Sequence, residues 1–148
     1  MVERITLADL DPSRLDLARS FGFDAFENGG SEIAAMRRSM DICADATGRA
    51  DVAASLIDYT ADGGQALFFG VCAPDAKIEI SPFEVFRRQL RLLGTHSLNR
   101  NIPDALQAIR MYGPEIERLV SHRLPLDGVA DILSSKAPRG SLKVQAAL

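Results

Sequence analysis

The stretch "RITLADLDPSRLDLARSFG", residues 4–22, holds a complete passage from strand to helix. Arg4 to Ala8 is a β-type run, and Asp9 stands at its carboxyl end. Asp11 then offers the short acceptor side chain that caps a helix. Pro12 suits the first helical position, where the missing N–H costs nothing, and Gly22 suits the stop. Within the helix so bounded, Leu15, Ala18 and Phe21 fall on one face and are predicted to be buried.

The alternation of short β-type runs with amphipathic stretches continues along the chain, the pattern of a parallel sheet covered by helices. "FDAF" (23–26) reads as a second strand and "SEIAAMRRS" (31–39) as a helix that starts at Ser31 after Asn28, Gly29 and Gly30. "DICADATG" (41–48) opens as a strand and ends at a glycine, and "ADVAASLIDYTADGG" (50–64) reads as an amphipathic helix closed by Gly63 and Gly64. "GQALFFGV" (64–71) is almost continuously apolar, as a strand buried on both faces must be. Lys77 to Ile80 reads as a strand, followed by a helix with Ser81 and Glu84 in capping-box spacing around Pro82. "LRLLGTHS" is a strand ending at Gly94, "PDALQAIRMYG" a helix stopped by Gly113 and "LVSHRLPL" an extended piece. "LDGVADILSS" is a last helix and "LKVQAA" a final strand. No repeat, low-complexity tract or linker interrupts the series, so one domain over 1–148 is expected.

Composition sets the outer bounds. The 148 residues are 47% hydrophobic and 25% charged with a net charge of −3, which gives no electrostatic reason to expect a nucleic acid or an anionic membrane as partner. No run approaches the roughly 18 apolar residues of a membrane helix. A basic segment leading into a long apolar run is also absent from the N-terminus, so a cytoplasmic protein is expected. The two cysteines, Cys43 and Cys72, lack zinc-site spacing and read as reduced thiols. With His96 and His122 they are too scattered for a metal site, and no nucleophile elbow or Ser-His-Asp arrangement is visible.

Two features carry chemistry. An acid at the carboxyl end of a strand can accept both hydroxyls of an adenosine ribose, and its charge repels a 2′-phosphate, so Asp9 favours NAD over NADP. The same acid could instead serve only the helix that follows; Asp11 is the better cap and Asp9 the better ribose ligand. Gly48, Gly70 and Gly94 each close a predicted strand, where ligands bind in open α/β sheets and where backbone must approach a cofactor closely. Each taken singly also fits ordinary turn chemistry.

With these motifs in order, the chain resembles the C-terminal, cofactor-binding part of the zinc-dependent medium-chain alcohol and polyol dehydrogenases, a group that includes alcohol, sorbitol and threonine dehydrogenases. The resemblance rests on "ITLADLDPSRLDLARSFG", "DICADATG", "GGQALFFGV", "LRLLGTHS" leading into "IPDALQAI", and "VSHRLPLDGVADIL" followed by "LKVQ". It implies a Rossmann-like parallel sheet with helices on both faces. It also implies that Asp9 binds the adenosine ribose, that Arg14 lies beside the adenine end, and that Ala46, Thr47 and Gly48 line the adenosine and ribose. By the same resemblance Phe69, Gly70 and Val71 hold the nicotinamide carboxamide through their backbone, Gly94 and Thr95 make the next contact to that ring, and Lys143 lies near the pyrophosphate. Members of the group associate through an edge strand, so a homodimer through Ile78 to Ile80 is expected.

The chain departs from the group in what it lacks. Neither the glycine-rich GxGxxG loop nor the catalytic zinc ligands occur in it, and it starts at what reads as the second strand, so that loop would precede Met1. The first strand is central in the order 3-2-1-4-5-6. Its absence leaves three possibilities: the two flanks close up, another segment fills the slot, or the flank of strands two and three packs loosely on the rest. The sorbitol enzymes carry an arginine and an aromatic where this chain has Ser97 and Leu98, so sorbitol is not the expected alcohol. The chain alone is expected to be catalytically inactive. Two other readings stand beside this one: a non-enzymatic nucleotide-binding or oligomerisation fragment, and a zinc-independent reductase of the quinone oxidoreductase type.

Overall fold

The computed structural model describes residues 2–96, 100–134, 138 and 140–147. The chain falls into two compact units, Met1–Ser97 and Leu98–Leu148. Ser97 and Leu98, which bear on the choice of alcohol, lie outside the described residues.

In the first unit the order is β1 (Thr6–Asp9), α1 (Pro12–Ser20), β2 (Asp24–Glu27), α2 (Ser31–Ala35), β3 (Met40–Asp45), α3 (Ala50–Tyr59), β4 (Thr60–Phe68), α4 (Pro82–Arg87) and β5 (Arg91–Gly94). β1 pairs with β2, and β3, β4 and β5 form a second sheet with β4 in the middle; every pairing is parallel. Parallel strands joined by helices make the unit Rossmann-like. Within the order 3-2-1-4-5-6, β2 and β1 are the flank 3-2, and β3, β4 and β5 are the flank 4-5-6. β1 and β3 form no ladder with each other, so among the described residues each keeps one edge without a strand partner. The two flanks have not closed up into one sheet.

Local chemistry accounts for the boundaries. The Asp11 carboxylate accepts the Ser13 N–H at 2.9 Å, Pro12 opens α1, and Gly22 turns the chain at φ +85°. Leu15 is buried beneath this helix, with Ala18 and Phe21 half-buried. Ser81 caps α4 by accepting the Glu84 N–H at 3.3 Å, half of the anticipated capping box. The core of the β3–β4–β5 sheet is Cys43, Leu56 and Ala66, with Met40, Tyr59 and Phe68 packed against them. Burial in that core raises the Cys43 thiol above its ordinary pKa, so it stays protonated and unreactive.

Several predicted boundaries are corrected. α2 ends at Ala35 rather than Ser39, because Arg38 adopts φ +56° and donates its N–H to the Asp58 carbonyl, turning the chain into β3. α3 ends at Tyr59, and Gly63 and Gly64 lie inside β4 instead of closing a helix. The reason is Thr60, which is fully buried, donates its hydroxyl to the Leu56 carbonyl at 2.8 Å and pairs with Met40. The register then shifts, so that Ile42 faces Gln65, and Gly63 at φ +80° absorbs the extra residues. Among the described residues Lys77 to Ile80 pairs with no strand, although Ile78 and Ile80 are half-buried and Lys77 and Glu79 exposed, as in a β-type pattern.

The second unit contains α5 (Ile102–Ile116), a 3₁₀ turn (Glu117–Leu119), β6 (Val120–Leu124), α6 (Leu126–Ser134) and β7 (Lys143–Ala146), with β6 and β7 parallel. The first helical segment of α5 ends at Tyr112, whose φ −112° and ψ 17° are not helical, beside the predicted stop Gly113, and a second segment that contains Pro114 runs on to Ile116. Among the described residues no helix is long and apolar enough to cross a membrane.

One buried cation secures the amino-terminal end of the larger sheet. Arg88 is 4% exposed, and its guanidinium donates to the Asp62 carboxylate at 2.7 Å, to the Ile57 carbonyl at 3.0 Å and to the Thr60 carbonyl. Its own carbonyl accepts the Gly63 N–H at 2.7 Å, so the end of α3, the start of β4 and the end of α4 meet at one side chain. Replacing Arg88 with Leu strands two carbonyls, and the expected loss is about 3 kcal/mol in a urea titration. The same contacts predict acid lability. The Arg88 hydrogen bond holds the Asp62 carboxyl below its ordinary 3.8, and Arg87 holds Glu84 below its ordinary 4.5. Each carboxylate thus adds stability above those values and loses it as the pH falls through its lowered folded pKa. Urea midpoints measured from pH 6 to pH 3 are expected to drop for the wild type, and more shallowly for Arg88→Leu, which lacks the Asp62 part.

Candidate functional site

In parallel α/β sheets, ligands gather at the carboxyl ends of the strands, and five such ends lie in the first unit. β1 ends at Asp9, whose Oδ1 accepts the Asp11 N–H at 2.9 Å while Oδ2 lies 3.6 Å from Arg14 Nη1. One Asp9 oxygen thus braces the turn into α1, and the side chain stays 36% exposed at the strand end. Asp11 performs the capping, and its hydrogen bonds from the Ser13 hydroxyl and N–H lower its pKa below 3.8.

The ends of β3 and β4 are joined through Asp45, a residue that the motif reading passed over. Asp45 is 1% exposed, and its Oδ1 accepts both the N–H and the hydroxyl of Thr47, each at 2.7 Å. Oδ2 accepts the Gly48 N–H at 3.3 Å. The Asp45 carbonyl also accepts the N–H groups of Phe69 at 3.2 Å and Gly70 at 2.6 Å. One residue therefore ties Ala46–Gly48 to Phe69–Val71, two of the segments expected to touch a cofactor. The sequence signal was present in Asp-Ala-Thr-Gly, an acid two residues ahead of a threonine, the spacing of an Asx turn.

The glycines differ in what surrounds them. A Cβ on Gly70 would lie 2.2 Å from the Gly48 nitrogen and 2.8 Å from Asp45 Oδ2, and one on Gly48 would lie 2.4 Å from the Val71 carbonyl oxygen. Gly48 also requires φ +70°. These two are glycines because two backbone segments touch there, in part a structural need rather than a ligand's. Gly94, at the end of β5, has nothing within 4 Å of its Cβ position among the described residues. Thr95 follows it and donates its N–H to the Phe68 carbonyl at 3.3 Å. Phe69 and Val71 are exposed, at 60% and 93%. Lys143 opens β7 in the second unit, where its carbonyl accepts the Ser121 hydroxyl at 3.0 Å.

The cysteines and histidines are dispersed. Cys43 is inside β3, Cys72 follows β4, His96 is exposed beyond β5 and His122 is in β6. Among the described residues no group of three His, Cys, Asp or Glu side chains is placed to hold a metal ion.

The glycine geometry gives a direct test. Gly70→Ala is expected to lower stability by about 3 kcal/mol, since the clash is with backbone that cannot yield cheaply. Gly94→Ala is expected to shift it by less than about 1 kcal/mol in the same denaturant titration.

Residues 2–111 match the family described as zinc-binding dehydrogenase. The chain is 48% identical over 145 residues to the D-altritol 5-dehydrogenase of Agrobacterium fabrum (strain C58 / ATCC 33970), covering 97% of this chain and 43% of that protein. It is 26% identical over 151 residues to the L-threonine 3-dehydrogenase of Sinorhizobium medicae (strain WSM419), covering 95% of this chain and again 43% of the relative. Its fold matches the crystal structure of a Sinorhizobium meliloti 1021 protein bound to NADP with a TM-score of 0.89 at 24% identity, over 99% of this chain and 46% of that one. The chain thus spans less than half the length of the proteins it matches. By the match over most of its length, it belongs to the zinc-binding dehydrogenase family.

Proposed function

We propose that this chain is the cofactor-binding part of an NAD-linked, zinc-type polyol or alcohol dehydrogenase. In the complete enzyme a hydride would pass from the carbon of a secondary alcohol to a nicotinamide ring. The observation that carries the reading is the Asp9 carboxylate, a third exposed at the carboxyl end of β1, with Arg14 beside it. A ribose diol offers two donors to such a carboxylate, and its charge disfavours a 2′-phosphate, so NAD is the preferred form. Arg14 at 3.6 Å from the acid would cover the adenine end. Ala46, Thr47, Gly48, Phe69, Gly70, Val71, Gly94 and Thr95 would supply backbone to the rest of the dinucleotide. The bound nicotinamide supplies the hydride acceptor, while the chain's residues bind and orient it.

A polyol substrate is supported by the 48% identity to D-altritol 5-dehydrogenase. The chain spans 43% of that relative, and on this reading it is inactive without the remainder of the enzyme. Ile78 and Ile80, half-buried on a segment without a strand partner among the described residues, support association of two copies along that edge.

Calorimetric titration of the purified chain with NADH and NADPH tests the reading. NADH is expected to bind more tightly than NADPH, and Asp9→Ala to weaken NADH by about tenfold and to narrow the gap between the two. A folded chain that binds neither nucleotide would reduce it to a fragment with the family's fold and no ligand site.

A further inference from the structure

We propose that Asp45 is the positioning residue of the nucleotide site: its buried carboxylate sets the shape of the two strand-end segments that meet the dinucleotide, without touching the ligand itself. The proposal rests on the nucleotide-binding reading above.

The geometry points to this role in three ways. The first is the division of labour within one residue. The side chain accepts three hydrogen bonds from Thr47 and Gly48, and the main-chain carbonyl accepts two from Phe69 and Gly70. The chain after β3 and the chain after β4 are consequently held by opposite ends of the same amino acid. The second is close approach. Gly48 and Gly70 pack backbone against backbone with no room for a Cβ at either, so a shift in one loop transmits directly to the other. The third is need. A carboxylate buried to 1% exposure costs free energy unless its lone pairs are filled, and here every donor comes from the turn that the carboxylate shapes. The hydrogen bonds leave neither oxygen reaching for a partner on the open side, where Phe69 and Val71 are exposed. Thr47 extends the device by one step, since its hydroxyl donates to Asp45 and accepts the Arg49 N–H at 3.1 Å, which fixes the entry to α3.

The test is NADH titration of Asp45→Asn, Thr47→Val and Thr47→Ser, beside Leu56→Val, a core variant remote from the strand ends that serves as a stability control. Asn keeps one acceptor oxygen and places an NH₂ where Oδ2 received the Gly48 N–H, so that turn must open. Asp45→Asn is expected to weaken NADH by about tenfold, well beyond any effect of Leu56→Val at an equal distance below each melting temperature. Thr47→Val, which keeps the branched shape and loses the hydroxyl, is expected to weaken NADH several-fold, and Thr47→Ser, which keeps the hydroxyl, to restore it. That rescue separates positioning from loss of stability, and it carries the test if Asp45→Asn does not fold. Unaltered NADH affinity in folded Asp45→Asn, or in Thr47→Val, overturns the proposal while leaving the nucleotide site standing. A folded wild-type chain that binds neither NADH nor NADPH overturns both.

Discussion

The pairing of β3 with β4 is the constraint on which the larger unit depends, and it is pinned at both ends by buried charge. At the amino-terminal end the Arg88 guanidinium gathers carbonyls from α3 and β4 together with the Asp62 carboxylate. At the carboxyl end the Asp45 carboxylate gathers the N–H groups of the following turn. Between them lies only a small apolar cluster, Cys43, Leu56 and Ala66 with their neighbours. A core this limited leaves the precise placement of the strand ends to hydrogen bonds, which are directional where apolar burial is not.

The two sheets of this unit show what the pairing cannot supply. Ile42, in the edge strand β3, is 61% exposed, while its neighbour Cys43 is buried. β1 carries a comparable sign: the Thr6 hydroxyl is buried without a hydrogen-bond partner among the described residues, and Leu7 is exposed. Unpaired edges and exposed apolar strand residues are what a doubly wound sheet divided beside its central strand must show, since parallel strands are normally covered on both faces. Family membership over less than half the length of the relatives agrees with that picture.

The glycines at the strand ends are of two kinds. Among the described residues nothing lies within 4 Å of a Cβ on Gly94, whereas Gly48 and Gly70 are required by the close approach of their two segments. The acids divide in the same way. Asp9 keeps a partly exposed carboxylate at a strand end, Asp11 spends its carboxylate on a helix cap, and Asp45 is consumed entirely by the turn around it.

Local chemistry was legible in the sequence wherever a signal was complete within a few residues. The Asp11-Pro12 start of α1, the Gly22 turn and the Ser81 cap of α4 needed only neighbours in the chain to be satisfied, and each formed. The order of motifs was enough for the parallel fold and the family. Tertiary structure alone decided the rest, because the deciding partners lie far apart in sequence. The helix before β4 stops at Tyr59 since buried Thr60 finds Met40 as its ladder partner; the turn at Arg38 depends on Asp58; and Asp45 becomes the hinge pin of the site only when Phe69 and Gly70 come alongside it. Lys77 to Ile80 has the alternation of a strand and lacks a partner among the described residues, and a strand, unlike a helix, needs hydrogen bonds from another segment to exist.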